Sequence, residues 1–311
     1  MKKKILDSLT EAIGRTPLLR ARRIEERLDL KAELLLKLEM FNPGGSVKDR
    51  AALAMIEAAE ADGRLRPGSV IIEPTSGNTG VGLAWIAAIK GYRAVFTMPD
   101  NMSAERRQTL QALGAEVILT PAAEKMDGAI RAAEALRDST PGAFIPMQFD
   151  NPANPAAHTA GTAAEIWEDT DGGVDVFVAG VGTGGTLSGT ARGLKALKPE
   201  VRIVAVEPAA SAVISGRPAG PHMIQGIGAG FIPANYDPTL TDEVIAVADD
   251  AAFEAMRLLA TTEGAFCGIS SGAALSAAIG IARRPDMEGR RIVVLLPDTG
   301  LRYLSVSEKF I

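Results

Sequence analysis

The run Asn42-Pro43-Gly44-Gly45-Ser46-Val47-Lys48-Asp49-Arg50 sets one lysine behind a glycine-hinged loop and ahead of the apolar stretch Ala51-Ala52-Leu53-Ala54-Met55-Ile56. Ser46 followed three residues later by Asp49 has the spacing of a capping box, which predicts a helix with Ser46 as N-cap and Lys48 at position N2. The helix dipole is positive at that end, and a dry site would also penalise a charge, so both effects favour the neutral amine. A neutral lysine amine is a nucleophile that can form a Schiff base with a carbonyl compound. A solvated lysine in a first turn has the same local sequence, so this stretch alone leaves both readings open.

Two glycine loops can hold anions. Thr75-Ser76-Gly77-Asn78-Thr79-Gly80 follows one apolar strand and opens a helix, so its amides and hydroxyls converge at a positive helix end. Gly182-Thr183-Gly184-Gly185-Thr186 does the same after a second strand. A protein with two such cradles can hold a molecule with two anionic ends, although glycines also serve simply to permit tight strand-to-helix turns. A rival reading is a nicotinamide site, because Gly180, Gly182 and Gly185 satisfy G-x-G-x-x-G and Glu207 closes the next strand. That reading leaves Lys48 and the first loop without a role.

The composition narrows the classes. In 311 residues, 33 basic against 38 acidic side chains give a net charge of −5, which disfavours a nucleic-acid surface, and 47% apolar residues suffice for sizeable cores. Met1-Lys2-Lys3-Lys4 is like the basic start of a signal peptide, but Asp7, Glu11 and Arg15 place charges where its apolar segment would have to run, and no apolar run of about 18 residues occurs. A cytoplasmic protein with no membrane or nucleic-acid partner is expected. The lone Cys267 excludes an internal disulfide, and with only His158 and His222 besides, no thiol or imidazole metal cluster is expected. Cys267 reads as a small buried apolar residue, and the two histidines as structural.

Short β-branched runs alternate with alanine-rich helical segments, the pattern of an α/β fold with parallel sheets. Strands are expected at residues 70–73, 94–98, 116–119, 174–179, 201–206 and 292–296, and helices at 81–89, 104–113, 128–136, 156–167, 187–197, 251–261 and 271–281. Asp150-Asn151-Pro152-Ala153-Asn154-Pro155 breaks this rhythm and predicts a boundary between a domain of residues 1–150 and one of residues 151–311. Residues 208–238, rich in Gly and Pro, read as a long functional loop.

Taken together, these residues resemble the cysteine synthase (O-acetylserine sulfhydrylase) family of fold-type II pyridoxal 5'-phosphate enzymes, whose fold is like the tryptophan synthase β subunit. The blocks that carry the resemblance span nearly the whole chain: residues 14–18, 42–50, 75–80, 98–107, 148–155, 182–186, 225–233, 268–273 and 297–304. The resemblance implies two α/β domains, each a twisted, mostly parallel sheet flanked by helices, with residues 1–35 packing on the other domain. It implies that Lys48 is the Schiff-base lysine and proton carrier, and that Asn78 bonds the cofactor's 3'-oxygen. Gly182, Thr183, Gly184, Gly185 and Thr186 would hold the phosphate, and Ser271 would face the pyridine nitrogen. Thr75, Ser76, Thr79, Gln148 and Gly226 would bind substrate, with the amino-acid carboxylate on the first loop and the cofactor phosphate on the second, in one cleft between the domains. A neutral hydroxyl at Ser271 does not hold the ring nitrogen protonated, which favours loss of a β-substituent over racemisation.

The implied reaction is β-replacement: O-acetyl-L-serine loses acetate to give an α-aminoacrylate, and sulfide adds to give L-cysteine. The implied assembly is a homodimer with serine acetyltransferase as a candidate partner. Condensation of serine with homocysteine is the nearest alternative, disfavoured by the form of residues 225–233. A nicotinamide oxidoreductase, or an interaction protein that only grips a partner's tail, are alternatives of other classes. Two departures from the family pattern stand out. Residues 121–128 lack glycines that the family's loop often carries, which would stiffen a mobile lid, and Leu301 replaces a customary glutamate.

Overall fold

The apolar runs Val70–Pro74, Arg93–Pro99, Val176–Gly180, Arg202–Pro208 and Arg291–Leu296 become buried strands, whereas Glu116–Thr120 forms a strand that leaves Ile118 and Leu119 exposed. The computed structural model describes residues 5–309, so the basic start Met1 to Lys4 lies outside the described residues. In chain order the strands are β1 (Leu18–Arg20), β2 (Glu33–Leu38), β3 (Val70–Pro74), β4 (Arg93–Pro99), β5 (Glu116–Thr120), β6 (Ala143–Phe144), β7 (Val176–Gly180), β8 (Arg202–Pro208), β9 (Glu243–Val247) and β10 (Arg291–Leu296). The helices are α1 (Arg22–Arg27), α2 (Lys48–Ala61), α3 (Asn78–Lys90), α4 (Ala104–Ala112), α5 (Lys125–Ser139), α6 (Ala153–Ala157), α7 (Ala163–Asp169), α8 (Gly185–Leu197), α9 (Asp249–Leu258) and α10 (Ile269–Ala282). A π-helical segment, His158–Thr162, joins α6 to α7.

The chain divides into two units. One comprises Met1–Ile13 and Lys48–Asn154, the other Gly14–Val47 and Pro155–Ile311. The first contains a fully parallel sheet in the order β5-β4-β3-β6. Side chains alternate across it as a strand's period of two requires: Ile71 and Phe96 pack in a core with α2 and α3, while Val70, Ile72 and Val95 pack with Ala133 of α5.

The second unit holds a six-stranded sheet, β1-β2-β10-β7-β8-β9, parallel except for the β1–β2 pair. Val178, Val204 and Val294 face a core closed by α9 and α10, and Phe177, Ile203 and Val293 face one closed by α7 and α8. The helix α10 is buried on nearly every face, and its Gly272 is obligatory, since a Cβ there would run into the Ala252 carbonyl of α9. Among the described residues no helix is long and apolar enough to cross a membrane.

Six expected strands are present with ends shifted by one or two residues, and β1, β2, β6 and β9 are additional. The expected helix over 156–167 is interrupted by the π turn, because Gly189 and Gly193 of α8 bring its backbone against Pro155, Thr159 and Ala163. The long stretch between β8 and a 3-10 turn at Pro238–Leu240 is irregular as expected, apart from a 3-10 turn at Ala209–Ser211.

Candidate active site

In the first unit three element ends gather the residues singled out from the sequence. The helix α2 begins at Lys48, so Lys48 is the first helical residue and not the second, and Val47 occupies the capping position. Ser46 instead forms an isolated β-bridge with Asp298. Lys48 is half-buried, and Asp49 beside it is fully buried, its Oδ1 accepting the Trp85 indole N–H of α3 at 3.3 Å. Gly82 lets α3 approach this turn closely: a Cβ there would lie 3.2 Å from the Lys48 carbonyl and 3.1 Å from the Ala52 Cβ.

The first glycine loop follows β3. The helix it opens begins at Asn78, three residues earlier than periodicity suggested, so Asn78, Thr79 and Gly80 form its first turn. Gly77 is the N-cap and supplies no side chain to satisfy the first amides, which leaves a ready anion site at the positive helix end. Thr75 Oγ1 accepts from the Gly77 amide at 3.4 Å, and Arg106 of α4 donates to the Ser76 carbonyl at 3.1 Å. Thr79 and Gln148 are buried and joined directly, Thr79 Oγ1 donating to Gln148 Oε1 at 2.5 Å. The structure therefore brings Thr75, Ser76, Asn78, Thr79 and Gln148 to one loop cluster in the unit that carries Lys48.

A residue that sequence inspection passes over lies behind this cluster. Glu73, near the end of β3, is 1% exposed, and its carboxylate accepts the backbone N–H groups of Met147 at 3.1 Å and Gln148 at 3.2 Å. Burial pushes its carboxyl up to about 7, against the pull of those two hydrogen bonds, with the Asp150 charge adding to the rise. Its only sequence signal is a charge inside the apolar run Val70-Ile71-Ile72-Glu73-Pro74.

In the second unit the loop after β7 is moulded to exclude side chains. Gly184 caps α8 with φ +82°, and a Cβ there would lie 2.5 Å from the Tyr236 nitrogen; a Cβ on Gly182 would run into the Gly226 carbonyl. Thr183 and Thr186 are buried there, and Thr186 Oγ1 lies 3.3 Å from His158 Nε2, whose ring is held on its other side by Thr162 at 2.9 Å. Gly226, at φ +95°, presents its carbonyl to this loop. Adjacent in the sheet, the residue after Pro297 at the end of β10 accepts from the Gly268 amide that heads α10, at 3.0 Å. Ser271 sits in the first turn of that helix, and its hydroxyl is fully buried without a well-formed hydrogen bond, the Cys267 thiol being only a weak polar neighbour. Both features thus lie at the carboxyl ends of neighbouring parallel strands, where ligands of α/β sheets bind.

The remaining candidates are structural. Burial pushes the Cys267 thiol up to about 12, too high for a nucleophile. His222 Nε2 donates to the Gly228 carbonyl at 3.1 Å. Glu207, the acidic residue of the nicotinamide reading, is buried and accepts from the Ile214 and Ser215 amides at 2.8 and 3.1 Å and from the Ser215 hydroxyl at 2.5 Å, so its carboxylate orders a loop and is not offered to a ribose.

The chemistry of these groups fits pyridoxal phosphate. A half-buried lysine heads one helix, a glycine loop at another helix N-terminus offers amides and hydroxyls to a phosphate, and the orphaned Ser271 hydroxyl can donate to an unprotonated ring nitrogen. The chain belongs to the pyridoxal-phosphate-dependent enzyme family, whose model matches residues 9–298. It is 51% identical over 306 residues to the cysteine synthase of Staphylococcus aureus, an alignment covering 98% of this chain and 97% of that one. Among solved structures it resembles the cysteine synthase of Entamoeba histolytica (TM-score 0.94, 45% identity, 99% of this chain and 91% of that chain). It also resembles a hydrogen sulfide-producing enzyme from Fusobacterium nucleatum (TM-score 0.92, 44% identity, 97% and 99% covered).

Proposed function

We infer that this chain is a pyridoxal-phosphate-dependent cysteine synthase that converts O-acetyl-L-serine and sulfide to L-cysteine and acetate. The observation that carries the reading is the 51% identity to a cysteine synthase over nearly the full length of both chains, joined to a lysine-headed helix and two glycine loops. When bound, the cofactor supplies an electron sink that makes the α-proton of the amino acid removable and the β-substituent expellable.

The residue roles are part of the proposal. Lys48 Nζ would hold the cofactor aldehyde, and as a free amine it would take the α-proton of the bound amino acid. Its place at the positive end of α2 lowers the cost of the neutral amine that both tasks need. Asn78 donates to the cofactor's 3'-oxygen. Gly182 to Thr186 hold the phosphate by amides and hydroxyls, and Ser271 donates to the ring nitrogen without protonating it. Thr75, Ser76, Thr79 and Gln148 bind and orient the substrate carboxylate, while Gly226 borders the substrate. A homodimer, a cytoplasmic location and a serine acetyltransferase partner belong to the same proposal, supported by the family resemblance alone.

The test is product formation by the purified protein. Protein loaded with pyridoxal phosphate and given O-acetyl-L-serine and sulfide should release L-cysteine and acetate in equal amounts. Acetate release without cysteine, or turnover only with serine and homocysteine, would assign another member of the same chemistry.

A further inference from the structure

β6 pairs with β3 only at Ala143 and Phe144, opposite Val70 and Ile71, and past that point the chain leaves the ladder. The gap beside the last residues of β3 is closed by the Glu73 side chain, which takes over the task of the missing strand. Each carboxylate oxygen accepts one amide, Oε2 from Met147 and Oε1 from Gln148. Met147 has φ +56°, a conformation rare outside glycine, so consecutive amides can turn toward one acceptor as in an anion-binding nest. The next links are direct. The Gln148 carbonyl accepts from Asn154 Nδ2 at 2.8 Å, and the Gln148 side chain accepts from Thr79 in the first turn of α3. Asn151 ties the same turn from below, its Nδ2 donating to the Pro146 carbonyl at 2.8 Å.

We propose that Glu73 is a positioning residue for substrate binding: its buried carboxylate fixes the left-handed turn at Met147 and thereby aims the Gln148 side chain at Thr79 and the substrate carboxylate. The inference rests on the proposed role of Gln148. Glu73 touches neither substrate nor cofactor in this arrangement and acts only through the turn.

Glu73→Gln keeps the shape but turns one acceptor into a donor facing an N–H. Assayed at pH 8, above the titration of Glu73, it should raise the KM for O-acetyl-L-serine about tenfold while changing kcat far less, the scale of one lost hydrogen bond to a charged group. Gln148→Ala should raise KM similarly, and Glu73→Gln should add nothing further in the Gln148→Ala background, because the two residues act in series. Amide hydrogen exchange on the cofactor-free protein gives a readout independent of turnover, with the Met147 and Gln148 amides exchanging faster in Glu73→Gln. If Glu73→Gln does not fold, Glu73→Asp, a carboxyl too short to span both amides, should show the same KM shift and faster exchange in smaller measure. Multiplying effects in the double variant, or unchanged KM and exchange in the Glu73 variants, would overturn the proposal. A Gln148→Ala enzyme with unaltered KM would overturn the role of Gln148 as well, a failure separable from that of Glu73 alone by the exchange data.

Discussion

Lys48 combines two conditions that a nucleophilic amine needs, partial burial and the positive end of a helix, and the apolar helix α3 packs against its first turn. With Lys48→Ala, borohydride treatment should leave no cofactor mass on the protein, whereas the wild-type peptide containing Lys48 should carry it; reduction onto another lysine would remove Lys48 from its role. Glu73 makes a different prediction. Its folded carboxyl titrates at about 7 against an ordinary value of 4.5, so between those pH values the folded chain keeps a proton that the unfolded chain has lost. Stability from this group is therefore greatest below about pH 4.5 and falls as pH rises toward 7, by on the order of 3 kcal/mol. The Asp150 charge nearby adds to the penalty. Glu73→Gln should flatten that segment of the stability curve, read as the urea midpoint of both proteins from pH 5 to 8, and parallel curves would show that Glu73 does not titrate there. The loops around Lys48, Gly77 and Gly184 are legible as strand-to-helix turns because each is a short local run of glycine and hydroxyl residues ahead of an apolar helix, although their packing partners, Gly82 for Lys48, Gly226 for Gly182 and Tyr236 for Gly184, lie far away in the chain. Glu73 is not, since the amides it serves lie 74 and 75 positions away and a backbone donor leaves no mark in residue identity.

The elements proposed to carry the chemistry are the starts of helices, and their placement depends on glycine at a few points. At Gly184 both the left-handed φ and the contact with the Tyr236 backbone forbid a side chain. Gly184→Ala should open the loop and weaken pyridoxal phosphate retention at least tenfold, while a Thr186→Ala change removes a single hydroxyl and should cost roughly 1.5–3 kcal/mol, or about ten- to a hundredfold in Kd. Equilibrium dialysis separates these losses from effects on turnover, and unchanged retention in both variants would reassign the loop. The buried strands of the parallel sheets are readable as continuous apolar runs. β2 is not, because Glu33 opens it and Lys37 stands one residue from its end, the lysine fully buried and satisfied by the Thr16 carbonyl at 2.6 Å and Glu165 at 2.9 Å, partners that no local pattern reveals. The start of α3 is hard to read because Asn78, Thr79 and Gly80 are poor helix formers, and the helix begins there behind the Gly77 cap in spite of propensity.

Across the whole molecule, the departures from the family pattern lie at mostly exposed positions. Leu301 is exposed, and Ala122–Glu124 form a 3-10 turn held by Asp100, which accepts the Ala122 amide at 3.1 Å, and by an ion pair between Glu124 and Arg131. The order of the six-stranded sheet carries a consequence for synthesis. β10, the last strand made, lies between β2 and β7, and its Arg291 pairs with Glu33, 258 positions earlier. On a ribosome adding about 5–20 residues per second, β2 waits roughly 10–50 s for that partner, with the apolar side chains of Leu34, Leu36 and Leu38 unsheltered by it. Chains stalled after Arg290 should therefore stay open to protease at residues 18–38 and bind a hydrophobic-segment chaperone there, and release of the full chain should end both; protection before β10 emerges would mean that β2 shelters against another segment first. A nascent-chain holdase that guards residues 18–38 should then raise the yield of folded protein.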